Sequence, residues 1–260
     1  MEVVERFKAY LEEPFAESLM KDFESALKHL EEVDASPSMQ DLVTDMAGLR
    51  ENPSFPRKAG LFLSAYLKIA ARPESIDLES FEDTRLEGLG ACMDKADLTV
   101  KGDAGNYTGA FMLSGTLTVE GDVGDYTGFS MEGGTLHVKG LSESHTGHSM
   151  SGGRIVVDRN AHDFTGNRMT GGYIRIRANA GYSTGYRMVG GFIEVRDLAW
   201  DLAGEEMIGG RIQIGGHVGH DLGYSMVGGE LAVNEKNSET PRVRAKGGQL
   251  TVVARGKKRR

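Results

Sequence analysis

Histidine is the residue type in this sequence whose spacing most invites a chemical interpretation. His145 and His148 are three residues apart, and so are His217 and His220. Imidazole nitrogens are common ligands of zinc, and pairs at such spacing can face one ion. The two pairs fall at different positions of the repeat described below, about four repeat units apart, so we expect them not to converge. His145 also stands where neighbouring units carry an aromatic ring.

The sequence shows none of the short motifs that mark common active sites. A nucleophile elbow, a P-loop, an HExxH helix and a dinucleotide fingerprint are all missing from it. The single cysteine, Cys92, excludes an intramolecular disulfide and a cysteine cluster for a metal. The outward carboxylates do not form the row that β-helical lyases use. We therefore expect no catalytic residue, no bound cofactor and no metal ion on this chain.

A unit of 19 residues repeats through most of the chain and must organise its fold. Each unit reads Thr-Gly, two residues, Met, one residue, Gly-Gly and an alternating apolar run, as in TGFSMEGGTLHV and TGNRMTGGYIRI. The methionines from Met93 to Met226 keep the same step of 19. Such strict spacing indicates a repeat architecture. The anchor glycines are Gly109, Gly128, Gly147, Gly166, Gly185, Gly204 and Gly223.

The apolar run of each unit has the pattern of a strand with one buried face. The eighth and tenth residues after the anchor are always Ile, Leu or Val, and the residue between them varies. Because the same positions are apolar in every unit, equivalent strands must stack around one core. Repeats that need a helix, or a period of six, do not fit. The sequence therefore predicts a single-stranded right-handed parallel β-helix, a rod on the order of 40 Å long at a strand spacing of about 4.8 Å.

The recurring positions can be assigned to parts of a coil. The glycines are predicted at corners, where positive φ or close approach of successive coils is needed. The methionines are predicted to fill the interior with flexible thioethers, and a metal-binding methionine ladder is the alternative. The threonines before the anchors are predicted to form a ladder of hydroxyl hydrogen bonds. They are Thr108, Thr127, Thr146, Thr165 and Thr184.

Residues 1–75 are predicted to form an α-helical domain of four short helices, followed by the rod with its basic C-terminal tail over residues 76–260. Pro14 is predicted to open the second helix and Ser36 to cap the third. The domain either caps the rod or mediates dimerisation. The acidic residues 74–88 are predicted to provide the first edge strand. The front of the chain holds most of the net charge of −8, so the rod is close to neutral.

The pattern breaks at residues 234–245 and returns on schedule at Leu250 and Val252. The last coil is therefore predicted to be irregular, with its open edge covered. The terminal RGKKRR is predicted to be a solvated tail that protects this edge. Nucleic-acid binding is a minor alternative, because no aromatic residues accompany the basic ones.

Aromatic and arginine side chains stand out at the variable, outward positions of the middle coils. These residue types are enriched in protein interfaces, so we predict that they contact a partner. Ordinary exposed surface is the alternative. The candidate interface residues are Phe129, Arg168, Tyr173, Tyr186, Arg187 and Phe192.

Three units show a fuller form of the repeat, Gly-x-x-Gly-x-x-x-Gly, as GDAGNYTG, GDVGDYTG and GHVGHDLG. With the following Met-x-Gly-Gly-x-Ile/Leu-x-Val, residues 86–253 resemble the GXGXG-repeat domain. That domain lies at the C-terminus of the glutamate synthase large subunit. It forms a separate subunit of formylmethanofuran dehydrogenase and of the bacterial formyltransferase/hydrolase complex. The Met-Gly-Gly form is most similar to the branch of separate subunits. The resemblance implies a right-handed β-helix with a structural role, while redox and hydrolytic centres belong to other domains or subunits.

These observations predict a non-catalytic scaffold subunit of a cytoplasmic oxidoreductase or formyl-transfer complex of one-carbon metabolism. Its partners would be other subunits of that enzyme, or a second copy through the N-terminal helices. No apolar run approaches the roughly 18 residues that a membrane span needs, and the first residues are too charged for a signal peptide. A glutamate-synthase-related subunit is one alternative. A free-standing hydrolase or transferase, with its site between helices and rod, is another.

Overall fold

A computed structural model describes residues 2–33, 35–81, 84–234 and 245–252. Within these ranges, helices come first and short parallel strands follow. No helix in this part of the chain is long and apolar enough to cross a membrane. The helices are α1 Glu2–Leu11, α2 Leu19–His29, α3 Met39–Met46 and α4 Phe55–Ala70. The strands are β1 Glu74–Asp77, β2 Asp97–Lys101, β3 Thr116–Val119, β4 Thr135–Val138, β5 Arg154–Val157, β6 Tyr173–Ile176, β7 Phe192–Val195, β8 Arg211–Ile214, β9 Glu230–Val233 and β10 Gln249–Val252.

The strands form one parallel sheet in chain order, as the predicted β-helix requires. From β2 onward each residue pairs with the residue 19 positions later, as Leu98 does with Leu117. The first step is longer, because Ser75 pairs with Thr99, 24 positions later. A second ladder of single bridges links the coils on another side, from Val123↔Ser142 to Ala199↔Val218. The repeat period therefore equals one turn of the solenoid.

The interior is built from the positions that the sequence predicted. Met112, Met131 and the methionines up to Met226 are fully buried, as are the paired apolar residues of strands β2 to β9. Successive coils then bury the same side-chain type above itself, which gives continuous apolar packing along the rod. The methionine column is therefore core, filled by flexible side chains.

The glycine pairs mark the closest approach between coils. A Cβ atom on Gly152 would lie 2.1 Å from the carbonyl oxygen of Glu132, in the preceding coil. The next residue, Gly153, has φ +78° and faces the backbone of Gly133 at 2.7–2.9 Å from such a Cβ. The first position thus requires glycine because there is no room for a Cβ atom. The second requires it for the same reason and because its φ is positive.

The threonine column does not form the predicted ladder between coils. Thr108 donates its hydroxyl to the carbonyl of Gly105 at 2.8 Å, within its own coil. Thr127 donates in the same way to Gly124 at 2.9 Å. Both side chains are fully buried, so the hydroxyl takes the nearest carbonyl in its own turn rather than one in the next coil.

Two predicted helix starts are wrong. α2 begins at Leu19 rather than at Pro14, and Ser18 caps it by accepting from the Lys21 amide at 3.3 Å. The residues that precede α2 form a loop, because the buried Asp22 carboxylate accepts a hydrogen bond from the Ala16 amide at 2.7 Å.

The cap of α3 is Ser38, which accepts from the Asp41 amide at 3.1 Å, rather than Ser36. The Pro37 carbonyl is already engaged by the hydroxyl of Tyr66 at 2.7 Å, which holds this segment extended against α4.

The helices cover the N-terminal end of the rod. Gly60 of α4 lies directly against the Glu87 carbonyl, where a Cβ would come within 2.0 Å. Ser64 accepts from the Gly90 amide at 2.8 Å, and its hydroxyl lies between the Gly60 carbonyl at 2.7 Å and the Gly88 carbonyl at 3.1 Å. Helical and coil residues share one apolar cluster. The bundle is therefore a cap on the first coil, and the predicted edge strand β1 lies beneath it.

The last described strand, β10, pairs with β9 in the predicted register, Leu250 with Leu231. Most of the irregular stretch at 234–245 and the basic tail lie outside the described residues.

We predict that Gly152→Ala destabilises the protein by about 3 kcal/mol, because its Cβ would be driven into a backbone carbonyl that cannot move without opening the coil spacing. Gly48→Ala is the control, since a Cβ there meets nothing within 4 Å and should change stability by less than about 1 kcal/mol. Urea unfolding followed by circular dichroism measures both. Equal losses for the two variants would contradict the close-approach account.

Candidate functional site

A row of arginine and aromatic side chains lies along the outward face at the starts of β5 to β8. Arg154, Tyr173, Phe192 and Arg211 pair in register on successive strands. The Tyr173 and Phe192 rings are 5.3 Å apart between centroids. The Arg154 guanidinium lies 4.5 Å from the Tyr173 ring, and that of Arg211 lies 5.5 Å from the Phe192 ring. We call these four residues the strand-face row.

The strand-face row is held in place by its neighbours. Tyr173 donates its hydroxyl to Glu194, which also forms an ion pair with Arg175 at 3.5 Å. Partial burial, and then this hydrogen bond, raise the pKa of Tyr173 above its usual value. The cation–π contacts at both ends add a modest attraction at an exposed site. The row thus presents preorganised aromatic surface rather than freely moving side chains.

A second set of rings stacks at the turns. Tyr107, Tyr126, His145 and Phe164 are nearly parallel, with successive centroids 5.1, 4.6 and 5.0 Å apart. All four have φ between 59° and 66°, a conformation unusual for bulky residues. Their amides donate to the following coil, as Tyr107 does to the Asp125 carbonyl at 2.8 Å. We call this stack the turn ladder, and coil-to-coil bonding and ring stacking offset its backbone strain.

The structure divides the six predicted interface residues into two groups. Tyr173 and Phe192 belong to the strand-face row, and the other four lie in the turn segments. Phe129 contacts the Tyr126 ring edge-on at 6.0 Å. Arg187 lies over the Tyr186 ring at 5.0 Å and pairs with Glu206 at 2.6 Å. Arg168 is exposed beside them. That these residues contact a partner stays a prediction.

His145 and His148 come together in one turn, with ring centroids 5.7 Å apart. His145 occupies the aromatic position between Tyr126 and Phe164, as its place in the repeat predicted. The Nδ1 atoms of both histidines are buried and lack a hydrogen-bond partner among the described residues. Desolvation lowers the pKa of each ring, and for His148 the neighbouring His145 and Arg168 lower it further.

The second histidine pair, His217 and His220, lies between β8 and β9, whereas the first lies between β4 and β5. The structure therefore does not bring the two pairs together. Among the described residues, no three His, Cys, Asp or Glu side chains are grouped so that they could hold a metal ion.

Two columns of Asp and Asn side chains, which we did not predict from the sequence, tie successive coils together. In one, Asp103 accepts from the amide of Asp122 at 2.8 Å, and Asp122 accepts from that of Leu141 at 2.8 Å. In the other, Asn106 accepts from Asp125, and Asp125 from Ser144. The signal was present, because Asp or Asn recurs three and six positions before the anchors. These columns provide the ladder that the threonines do not.

An open cleft of about 650 Å³ lies where the helices meet the rod. Its polar lining includes Asp77, Glu79 and Lys101. Gln40 of α3 accepts from the Asp77 amide at 2.6 Å, and Asp77 accepts from that of Glu79 at 3.0 Å, so this wall is fixed by hydrogen bonds.

We predict that the His145–His148 turn weakens the fold on acidification. The unfolded chain takes up protons near pH 6.5, whereas the half-buried rings resist protonation, so lowering the pH favours the unfolded state. His145→Phe and His148→Phe, which keep a ring in each position, should reduce the loss of unfolding free energy between about pH 7 and pH 5. Tyr126→Phe in the same stack is the control and should keep the wild-type slope. Unchanged slopes in both histidine variants, measured by urea unfolding, would refute this.

The repeat and its solenoid have counterparts among known proteins. A family model described as the GXGXG motif matches residues 83–253. No curated protein matches the chain. Among solved structures, a chain of the formyltransferase/hydrolase complex from Methylorubrum extorquens, crystallised with methylofuran, is similar at 26% identity and a TM-score of 0.49. The match covers 65% of this chain and 58% of that one, so this chain spans little more than half of that neighbour. The family model covers about two thirds of the present sequence, including every coil from β2 to β9: the chain belongs to the GXGXG motif family.

Proposed function

We propose that this chain is a non-catalytic scaffold subunit of a multi-subunit enzyme, in which the rod holds larger catalytic subunits. The observation that carries the proposal is the strand-face row, with its two aromatic rings between two arginines.

The coil itself accounts for most recurring residues of the repeat. The methionines and strand aliphatics fill the interior, and the glycine pairs allow the coils to approach. The residue type can then vary only at outward positions. One such position carries, in successive units, Thr116, Thr135, Arg154, Tyr173, Phe192 and Arg211. A specific function is therefore expected at these variable positions.

The strand-face row has the composition of an interface centre. Tyr and Arg are enriched among the residues that contribute most to binding between proteins, and large rings bury much area at low entropic cost. Tyr173 and Phe192 are half-buried, so part of each ring remains free to pack against a partner. Because the row is already fixed, little conformational entropy is lost on association.

The identity of the enzyme rests on the motif. The Met-Gly-Gly form of the repeat favours an assembly like that of formylmethanofuran dehydrogenase or the formyltransferase/hydrolase complex, in the cytoplasm. A subunit related to the glutamate synthase C-terminal domain is the alternative within the family. Self-association through the helical cap is the alternative to a partner of different sequence.

A second candidate is a free-standing hydrolase or transferase. The cleft between the helical cap and the rod favours it, because Asp77, Glu79 and Lys101 line one space of about 650 Å³. Carboxylates beside a lysine can serve general acid–base chemistry.

We predict that Tyr173→Ala/Phe192→Ala lowers the yield of co-purifying subunits by at least about tenfold, because two central rings of the interface are removed. The tagged variant and wild type are expressed in the native source, and partner chains are quantified by mass spectrometry after affinity purification. Each truncation removes ring and cation–π contacts within the row and should cost about 1 to 2 kcal/mol, so circular dichroism must show that the variant is folded.

The matched control is Ile208→Ala/Val227→Ala, which truncates side chains that are 54% and 59% exposed, each directly before a glycine pair. It should retain wild-type partner yield. Equal loss in both double variants, or none in either, would place the interface elsewhere. Catalytic turnover by the isolated wild-type chain, abolished by Asp77→Asn, would favour the second candidate.

A further inference from the structure

Trp200 and Tyr182 form an exposed aromatic pair that the scaffold proposal does not use. Their side chains are 50% and 42% exposed, although they lie on successive coils of a well-packed rod. The ring centroids are 5.3 Å apart, and the planes are tilted by 47°. Adjacent exposed rings on a rigid surface offer a hydrophobic platform that a ligand can cover.

The pair lines an open cleft of about 420 Å³ that also has polar side chains in its walls. Asn160, Asn179, His162 and Asp163 also line it. A shallow site that combines aromatic surface with a few fixed polar groups is the usual composition of a small-molecule site.

The Asn and Asp side chains of the cleft are oriented by the coil. The Oδ1 atom of Asn160 accepts from the Asn179 amide at 3.1 Å, and that of Asn179 accepts from the Leu198 amide at 3.1 Å. Because each oxygen faces the backbone, each side-chain NH₂ group is directed away from it, free to donate. Asp163 uses Oδ1 on the Tyr182 amide at 2.9 Å, which leaves Oδ2 as an acceptor. Donors and acceptors are thus preorganised beside the rings.

The lining selects the chemical class of ligand. It contains the Asp163 carboxylate and no Lys or Arg among the described residues, so phosphates and other anions are disfavoured. The ring centroids are too close for an ammonium group to lie between them, which disfavours an aromatic cage. A neutral ligand with an apolar face and many hydroxyl groups satisfies both the rings and the amide and carboxylate groups.

We propose that this cleft binds a neutral saccharide, with a pyranose face against Trp200 or Tyr182 and hydroxyl groups bonded to Asn160, Asn179 and Asp163. The rings lie on successive coils, as do the two asparagines, and coils are about 4.8 Å apart. An oligosaccharide lying along the rod would therefore meet one ring and one asparagine on each coil, and the two asparagines occupy equivalent positions of the repeat. The proposal is independent of the scaffold function, because the strand-face row belongs to another part of each coil.

Trp200 is the only tryptophan in the sequence, so tryptophan emission, excited selectively over tyrosine, reports on this cleft alone. Full-length protein is titrated with cellohexaose and maltohexaose, neutral glucose oligomers of different linkage, and with tetramethylammonium chloride and hexa-galacturonate as the cationic and anionic probes. We expect a saturable emission change with at least one neutral oligomer at up to millimolar concentration. No saturable change with either neutral oligomer, or a response only to a charged probe, would overturn the proposal.

Isothermal titration calorimetry with the responding oligomer then tests the residues. Asn179→Asp keeps the Oδ1 acceptor for the Leu198 amide, because Asp122 accepts from the next coil in the same way at the equivalent position. The substitution removes the NH₂ donor, so it should weaken binding at least tenfold. Trp200→Ala should abolish detectable binding. Phe15→Ala, which truncates an equally exposed ring of the helical cap, should bind like wild type. Unchanged affinity in both cleft variants would contradict the assignment, even if the oligomer binds elsewhere.

Discussion

The close approach of successive coils at the glycine pairs is the constraint on which the rest of the rod depends. At Gly133, Gly152, Gly171 and Gly190 an added Cβ would lie 2.1–2.3 Å from a carbonyl oxygen of the preceding coil. This approach allows the amide of the first glycine of each pair to donate to that coil, as Gly133 does to the Met112 carbonyl at 3.0 Å. Once the spacing is fixed, the methionines and the strand aliphatics must stack on their own kind.

A rod built in this way displays its outward side chains at fixed intervals. Side chains on equivalent positions come within contact distance, which is why Tyr173 meets Phe192. Tyr182 meets Trp200 from a neighbouring position of the repeat on the next coil. The same stacking places His145 between aromatic rings and leaves its Nδ1 without a partner among the described residues. Function can therefore vary by substitution on the surface while the coil remains unchanged. The helical cap covers the first coil, and its residues Ser64 and Gly60 pack on the backbone of that coil.

Sequence periodicity predicted the rod well because each repeat samples the same environment. The strand register, the buried methionines and the return of Leu250 all follow from a step of 19 residues. The first residues of α2 and α3 could not be predicted from periodicity, because the helices are not part of the repeat. Whether Ser36 or Ser38 caps α3 depends on a contact between Pro37 and Tyr66, 29 residues apart in the chain. Likewise, the loop before α2 depends on the burial of Asp22. Such tertiary contacts have no local sequence signal.

The candidate site was only partly predictable for the same reason. The aromatic and arginine positions were evident from the repeat, but their division between strand face and turns depends on where each coil bends. The cleft beside Trp200 was not predicted, because tryptophan occurs at this position of the repeat in one unit only. In addition, the orientation of the Asn160 and Asn179 side chains is set by hydrogen bonds between coils.

Hydroxyl-radical footprinting of the chain in its native assembly and in isolation tests the scaffold account most directly. If the rod is a scaffold, the endogenous protein is recovered with other subunits, and oxidation of Tyr173 and Phe192 is strongly reduced in that assembly relative to the isolated chain. Recovery of the endogenous protein as a lone 28.2 kDa chain, or equal oxidation of both rings in the two samples, would contradict it.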